Sequence, residues 1–230
     1  MDKGKFIVFE GLDGSGTTTQ SRLLKEWFEN ENQPVYLTHE PTEGPIGILI
    51  RLALAGRLCS ATNNQTYQQV NESTLALFFA ADRMDHLQNT IIPNLEKGIN
   101  VICDRYYLSS FAYQSLELEF EWIKQINSKC RQPDLTFMLD VPVIECKKRM
   151  AKERWHIDLY EDEEKLEKVR VNYLRIIEEY LRRKENIEIL NGNLSQKDVH
   201  NEVEKKVRKF LTSGKNIVKG FKGSGFRVQG

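Results

Sequence analysis

The stretch Gly11-Leu12-Asp13-Gly14-Ser15-Gly16-Thr17-Thr18 decides the fold. It fits the phosphate-loop pattern G-x-x-x-x-G-K-[ST] at every fixed position but one, where Thr17 stands in place of lysine. The apolar run Phe6-Ile7-Val8-Phe9 before it predicts a buried strand. After it, Ser21-Arg22-Leu23-Leu24-Lys25-Glu26-Trp27-Phe28 repeats apolar residues at helical spacing. Strand, glycine loop and helix start are the context such a loop requires. Its glycines permit positive φ, so successive N–H groups can encircle a phosphate at a helix N-terminus. The Thr18 hydroxyl falls where the pattern places a Mg²⁺ ligand. The alternative is a plain glycine turn; the context favours a nucleotide-phosphate site over residues 11–19, Thr19 included.

Short apolar runs recur at 6–9, 35–37, 99–103, 135–140 and 187–190, separated by longer helical patterns. That alternation predicts an α/β fold with a mainly parallel sheet. The last helix is expected to open on the capping signature Ser195-x-x-Asp198 and to line up Val199, Val203, Val207 and Phe210 on one face. Residues 1–213 read as one domain. Residues 214–230, with five glycines and little apolar periodicity, read as a tail outside it.

The 230 residues carry 33 basic and 33 acidic side chains, so no whole-molecule field draws the chain to nucleic acid or membrane. No apolar run approaches membrane-spanning length. The first strand comes too early for a signal peptide to be expected. Cys59, Cys103, Cys130 and Cys146 are widely spaced and form no C-x-x-C, which fits reduced thiols in a cytoplasmic protein.

Two further stretches carry chemistry. In Leu75-Ala76-Leu77-Phe78-Phe79-Ala80-Ala81-Asp82-Arg83, Phe79 and Arg83 share one helical face, a ring able to stack on a base beside a guanidinium able to read its edge. Core packing of the ring and solvation of the arginine are the alternative. Asp104-Arg105 ends the run 99–103, at the carboxyl edge where open α/β sheets collect ligands. Asp104 could hold Mg²⁺ through water, and Arg105 could grip a phosphate, unless the two only pair with each other. Asp13 is a further carboxylate aimed at the same space.

The segments G-L-D-G-S-G-T-T-T-Q, E-P-T-E-G-P-I-G, L-F-F-A-A-D-R, D-R-Y-Y-L-S-S-F-A-Y-Q, P-D-L-T-F-M-L-D and D-L-Y-E, in this order over residues 4–212, resemble the thymidylate kinase family. The resemblance implies a P-loop nucleoside monophosphate kinase fold with five parallel strands in the order 2-3-1-4-5. It implies transfer of the ATP γ-phosphoryl group to dTMP with Mg²⁺, and a homodimer. By position, Phe79 would stack on thymine and Arg83 bond its edge. Arg105 would hold the dTMP phosphate, helped by Asp13 and Arg51. Ser110, Tyr113 and Gln114 would line the sugar and base, Tyr113 excluding a 2′-hydroxyl.

Residues 148–162 correspond to a mobile lid, in which Arg154 matches a catalytic arginine of the bacterial-like subclass and Arg149 is a second candidate. Thr17 departs from the family pattern, because a neutral hydroxyl cannot supply the loop lysine's charge. Either a lid cation such as Arg154 or Lys152 takes that place, or the chain binds nucleotide with little turnover. A kinase for another deoxynucleotide or deoxynucleoside is the remaining alternative.

Overall fold

A computed structural model describes residues 3–61, 67–153 and 163–219. At its centre lies β1 (Phe6–Gly11), buried along its whole length. It pairs in parallel with β5 (Asn100–Asp104) on one side and β6 (Leu135–Asp140) on the other. β2 (Val35–His39) adds to β5 and β7 (Ile187–Asn191) to β6, again in parallel. The order β2-β5-β1-β6-β7 is 2-3-1-4-5 when only the strands of this sheet are counted. Each of the five apolar runs became a strand.

The period-two alternation of β1 divides the interior. Phe6 and Val8 join Val101, Cys103 and Met138 in a core closed by α5 (Tyr107–Gln114) and α8 (Glu163–Arg182). Ile7 and Phe9 face the other way, with Ile102, Phe137 and Leu139, under α1 (Thr17–Asn30) and α9 (Gln196–Lys219). Each buried aliphatic or aromatic side chain in these layers contributes about 1.5–3 kcal/mol. Glu10 follows Phe6 and Val8 toward the α5–α8 side, a carboxylate where the alternation calls for an apolar residue.

At the start of α9, Ser195 Oγ accepts the Asp198 N–H at 3.2 Å and donates to Asp198 Oδ2 at 2.6 Å. The helix continues to Lys219, past the boundary expected at 213. Residues 220–230 lie outside the described residues.

Between β2 and β5 come α2 (Pro45–Leu54), a short antiparallel pair of β3 (Cys59–Ala61) and β4 (Tyr67–Gln69), and α3 (Glu72–His86). Asn71 caps α3 by accepting the Thr74 N–H at 2.8 Å. A π turn over Leu87–Ile91 leads into α4 (Ile92–Glu96). It sits just before Pro93, whose missing N–H would break the α-helical bonding there. α6 (Phe120–Ile126) and α7 (Val143–Glu153) complete the described elements.

Candidate active site

β1 ends at Gly11 and the chain wraps through residues 12–16 into the first turn of α1. Gly14 has φ 76, and a Cβ there would lie 2.6 Å from the Cys146 carbonyl oxygen, so only glycine fits. Gly16, at φ 101, is the left-handed N-cap that starts the helix without any side-chain cap. The free N–H groups of that first turn open on a cleft of about 620 Å³, lined by residues 13–19 with Arg22, Arg105, Arg149 and Gly192. Gly11 and Leu12 stand behind it, Leu12 with its side chain in the α5–α8 core. Thr17 is 5% exposed, a short neutral side chain in the loop's lysine position.

The carboxyl end of β5 meets this loop. Thr18 Oγ1 donates to Asp104 Oδ2 at 2.5 Å, while Asp104 Oδ1 is buried with no hydrogen-bond partner. A hydroxyl and a carboxylate with an orphaned oxygen, facing a phosphate loop, fit a divalent cation held directly or through water.

Arg105 takes the left-handed backbone conformation, φ 69, which costs about 1–3 kcal/mol and persists only when the surroundings hold it. They do so at three points. Its N–H donates to the Phe9 carbonyl at 2.8 Å, Nη1 to the Gly11 carbonyl at 2.9 Å and Nη2 to Asp13 Oδ1 at 2.8 Å. Burial works against the guanidinium's charge, but Asp13, Tyr113, Tyr173 and Asp104 together outweigh it and raise its pKa. Tyr113 completes the corner: its hydroxyl accepts the Asp13 N–H at 3.2 Å and its ring lies 5.8 Å from the Arg105 guanidinium.

A second cluster gathers the expected base-reading residues. Arg83 is 1% exposed and donates through Nε to Glu40 Oε2 at 2.8 Å, through Nη1 to Asn127 Oδ1, and through Nη2 to Ser110 Oγ at 3.1 Å. These bonds use three of a guanidinium's five N–H donors. Burial opposes its charge, but the Glu40 carboxylate, Cys130 and Tyr106 together outweigh this and raise its pKa. Phe79, one turn earlier on α3, is half-buried. Gln114 is buried, its Oε1 without a partner. Arg51 sits apart on α2, donating to the Pro41 and Thr42 carbonyls at 2.9 and 2.5 Å and to Glu43 Oε2 at 3.0 Å. The Glu40–Pro41 peptide of that segment is cis.

Glu40, His86 and Cys103 come within 4.8 Å of one another, the spacing of a metal site. Their atoms are already committed. Glu40 Oε1 bonds His86 Nδ1 at 3.1 Å, His86 Nε2 bonds Thr38 Oγ1 at 2.8 Å, and the Cys103 thiol donates to the Arg105 carbonyl at 3.0 Å. Since the carboxylate accepts, His86 Nδ1 carries the proton of that bond. Glu40 and His86 act as a brace behind Arg83, while Cys103 bonds the end of β5.

Arg154 and the D-L-Y-E run lie outside the described residues. Arg149, on α7, lines the same cleft and donates to the Ser15 carbonyl at 3.3 Å and the Gly192 carbonyl at 3.0 Å. Residues of the site that escaped the sequence reading include Glu40, Asn127, His86 and Glu10. Asn127 and His86 had no local signal, whereas Glu10 had one: a carboxylate inside an apolar strand.

A parallel sheet in the order 2-3-1-4-5, with a glycine loop at its central strand and a cationic corner at the neighbouring carboxyl end, defines a P-loop nucleoside monophosphate kinase. A family model described as thymidylate kinase matches residues 9–203. The chain belongs to the thymidylate kinase family. It is 42% identical over 204 residues to a probable thymidylate kinase of Pyrococcus abyssi, covering 87% of this chain and 94% of that one. A probable thymidylate kinase of Methanococcus aeolicus is 40% identical over 209 residues, covering 88% and 95%.

Proposed function

We propose that the chain transfers the γ-phosphoryl group of ATP to dTMP, giving dTDP and ADP. The observation that carries the reading is Arg105, a cation held by Asp13 and the Gly11 carbonyl between the phosphate loop and the base-reading cluster. There it would hold the acceptor phosphate in line with the γ-phosphorus. An oxygen of the dTMP phosphate attacks that phosphorus, and the bond to the β-bridging oxygen breaks to release ADP. The N–H groups of residues 13–18 and the N-terminus of α1 would hold the ATP phosphates. Thr18 and Asp104 would hold Mg²⁺, which would supply positive charge to the transferring phosphates when bound.

Base recognition would fall to Phe79, stacked on thymine, and Arg83, whose remaining N–H donors match a carbonyl oxygen on the base edge. Ser110 and Gln114 would complete the pocket, Tyr113 would lie against the sugar, and Arg51 would assist at the phosphate. Arg154 of the lid would replace the charge that Thr17 lacks. We further read the chain as a cytoplasmic homodimer, because Ile48, Leu54 and Leu77 of α2 and α3 expose 49, 60 and 48% of their surface and all four cysteines are free. Among the described residues no helix is long and apolar enough to cross a membrane.

Thr17 favours a second reading, nucleotide binding with little turnover. ADP release with ATP, Mg²⁺ and a panel of acceptors separates the two. dTMP-dependent release by the unmodified chain supports the kinase. Its absence, with activity appearing in Thr17→Lys, leaves the chain as a binder.

A further inference from the structure

We propose that Glu10 is a positioning residue of the acceptor site: its buried carboxylate clamps the N-terminus of α5 onto β1 and so holds Arg105 in register with Gly11 and Asp13. The consequence for substrate rests on the reading of Arg105 as the acceptor-phosphate cation.

Glu10 is 0% exposed and accepts four hydrogen bonds. Oε1 takes the N–H of Tyr106 at 3.0 Å and of Ser109 at 3.3 Å. Oε2 takes the Ser109 hydroxyl at 2.5 Å and the Tyr173 hydroxyl at 3.1 Å. N–H groups at the start of a helix have no α-helical acceptor, and α5 has no side-chain cap at its N-cap, Tyr106. The strand supplies one instead. Of the two N–H groups that Glu10 takes, that of Ser109 is shared with the Tyr106 carbonyl at 3.2 Å.

Arg105 lies on both sides of this clamp. In sequence it directly precedes Tyr106, the first residue that Glu10 holds. In space its Nη1 reaches both Ser109 Oγ at 3.4 Å and the carbonyl of Gly11, the residue after Glu10. The strained φ of Arg105 is therefore held between two anchors, and Glu10 is part of both. An apolar side chain at position 10 would fill the same core without a buried charge. Burial pushes the carboxyl up to about 7, against the pull of Ser109, Arg105 and Tyr173. The groups facing it are Ser109 and Tyr107 from α5, Tyr173 from α8, Arg105 at the end of β5, and the Cys103 thiol of β5; it helps to raise the pKa of both Cys103 and Tyr107.

Amide exchange on the free chain and calorimetric binding of dTMP and ATP, in the unmodified protein and Glu10→Gln, test the clamp. We expect exchange at Tyr106 and Ser109 to quicken at least about tenfold, and the Kd for dTMP to rise about tenfold while that for ATP stays within about twofold. The ratio of the two proteins' dTMP affinities should change near pH 7, because the phosphate's own ionisation is common to both. Tyr173→Phe removes one hydroxyl only; it should show the same pattern at smaller size, and serves if Glu10→Gln does not fold. Unchanged exchange at 106 and 109, or faster exchange with unchanged dTMP affinity, overturns the proposal. If the unmodified chain binds no dTMP, the kinase reading fails, and the exchange rates alone decide the clamp.

Discussion

Thr18 Oγ1 donates to Asp104 Oδ2 at 2.5 Å, joining the first turn of α1 to the end of β5. The other oxygen of Asp104 is buried and unpartnered, which supports the proposed cation role of the pair. In Asp104→Asn we expect turnover to fall about 10–100-fold, and the Mg²⁺ concentration for half-maximal rate to rise in step. A Mg²⁺ titration of the ADP-release rate measures both. Lower turnover with an unchanged Mg²⁺ requirement would remove the metal role from Asp104.

Thr17 leaves the loop without its ammonium, and single cations at a transferring phosphate are worth roughly 10³–10⁵ in rate. If Arg154 supplies the charge, Arg154→Ala should lose about that factor in kcat while Thr17→Lys alone gains far less. Thr17→Lys placed in the Arg154→Ala background should restore most of the loss. Single-turnover rates with saturating ATP and dTMP follow each step. Additive effects of the two changes would mean that they serve different phosphates.

The sequence made the sheet legible because each strand is a short apolar run bounded by longer helical patterns, and the glycine loop marked the central one. The β3–β4 pair went unseen: strands of three residues whose described side chains face water carry no hydrophobic alternation. The pairing of Phe79 with Arg83 on one face was visible, but not that Arg83 would be buried. Its acceptors Glu40, Ser110 and Asn127 come from three other parts of the chain, 43, 27 and 44 residues away. Local pattern holds no record of such long-range pairing. Glu10 was legible in principle, since a charge in a buried strand needs partners wherever they come from.

Arg83 and Glu40 form an ion pair whose side chains are 1% and 3% exposed, with His86 bonded to the second carboxylate oxygen. Removing one partner of such a pair strands the other charge. Arg83→Met should therefore destabilise the chain by about 3–5 kcal/mol, and Arg83→Met with Glu40→Gln by less than the sum of the two single changes. Urea unfolding of the three variants completes the cycle. Additive losses would show that the pair is not coupled.

Tyr113, the residue proposed to lie against the sugar, has its hydroxyl held by the Asp13 N–H at 3.2 Å. Tyr113→Ala should bring the kcat/KM values for dTMP and its ribose counterpart together, mainly by raising that of the ribonucleotide. Acceptor competition in one reaction, read by chromatography, gives the ratio directly. An unchanged ratio against a selective unmodified chain would place the 2′-position elsewhere.

Glu10 sets function against stability. Its carboxyl titrates near 4.5 when unfolded and at about 7 when buried, so between these values the folded chain binds the extra proton. Unfolding then releases protons, and stability must fall as pH rises through that window, by about 3 kcal/mol in all. Glu10→Gln removes the ionisation and should flatten this part of the profile. Denaturant unfolding at pH 4.5 and pH 8 should show the variant gaining on the unmodified protein at the higher value, the same condition in which it binds dTMP less well. Parallel stability curves for the two proteins would mean that Glu10 keeps an ordinary carboxylate pKa, and that its hydrogen bonds meet the full cost of burying its charge.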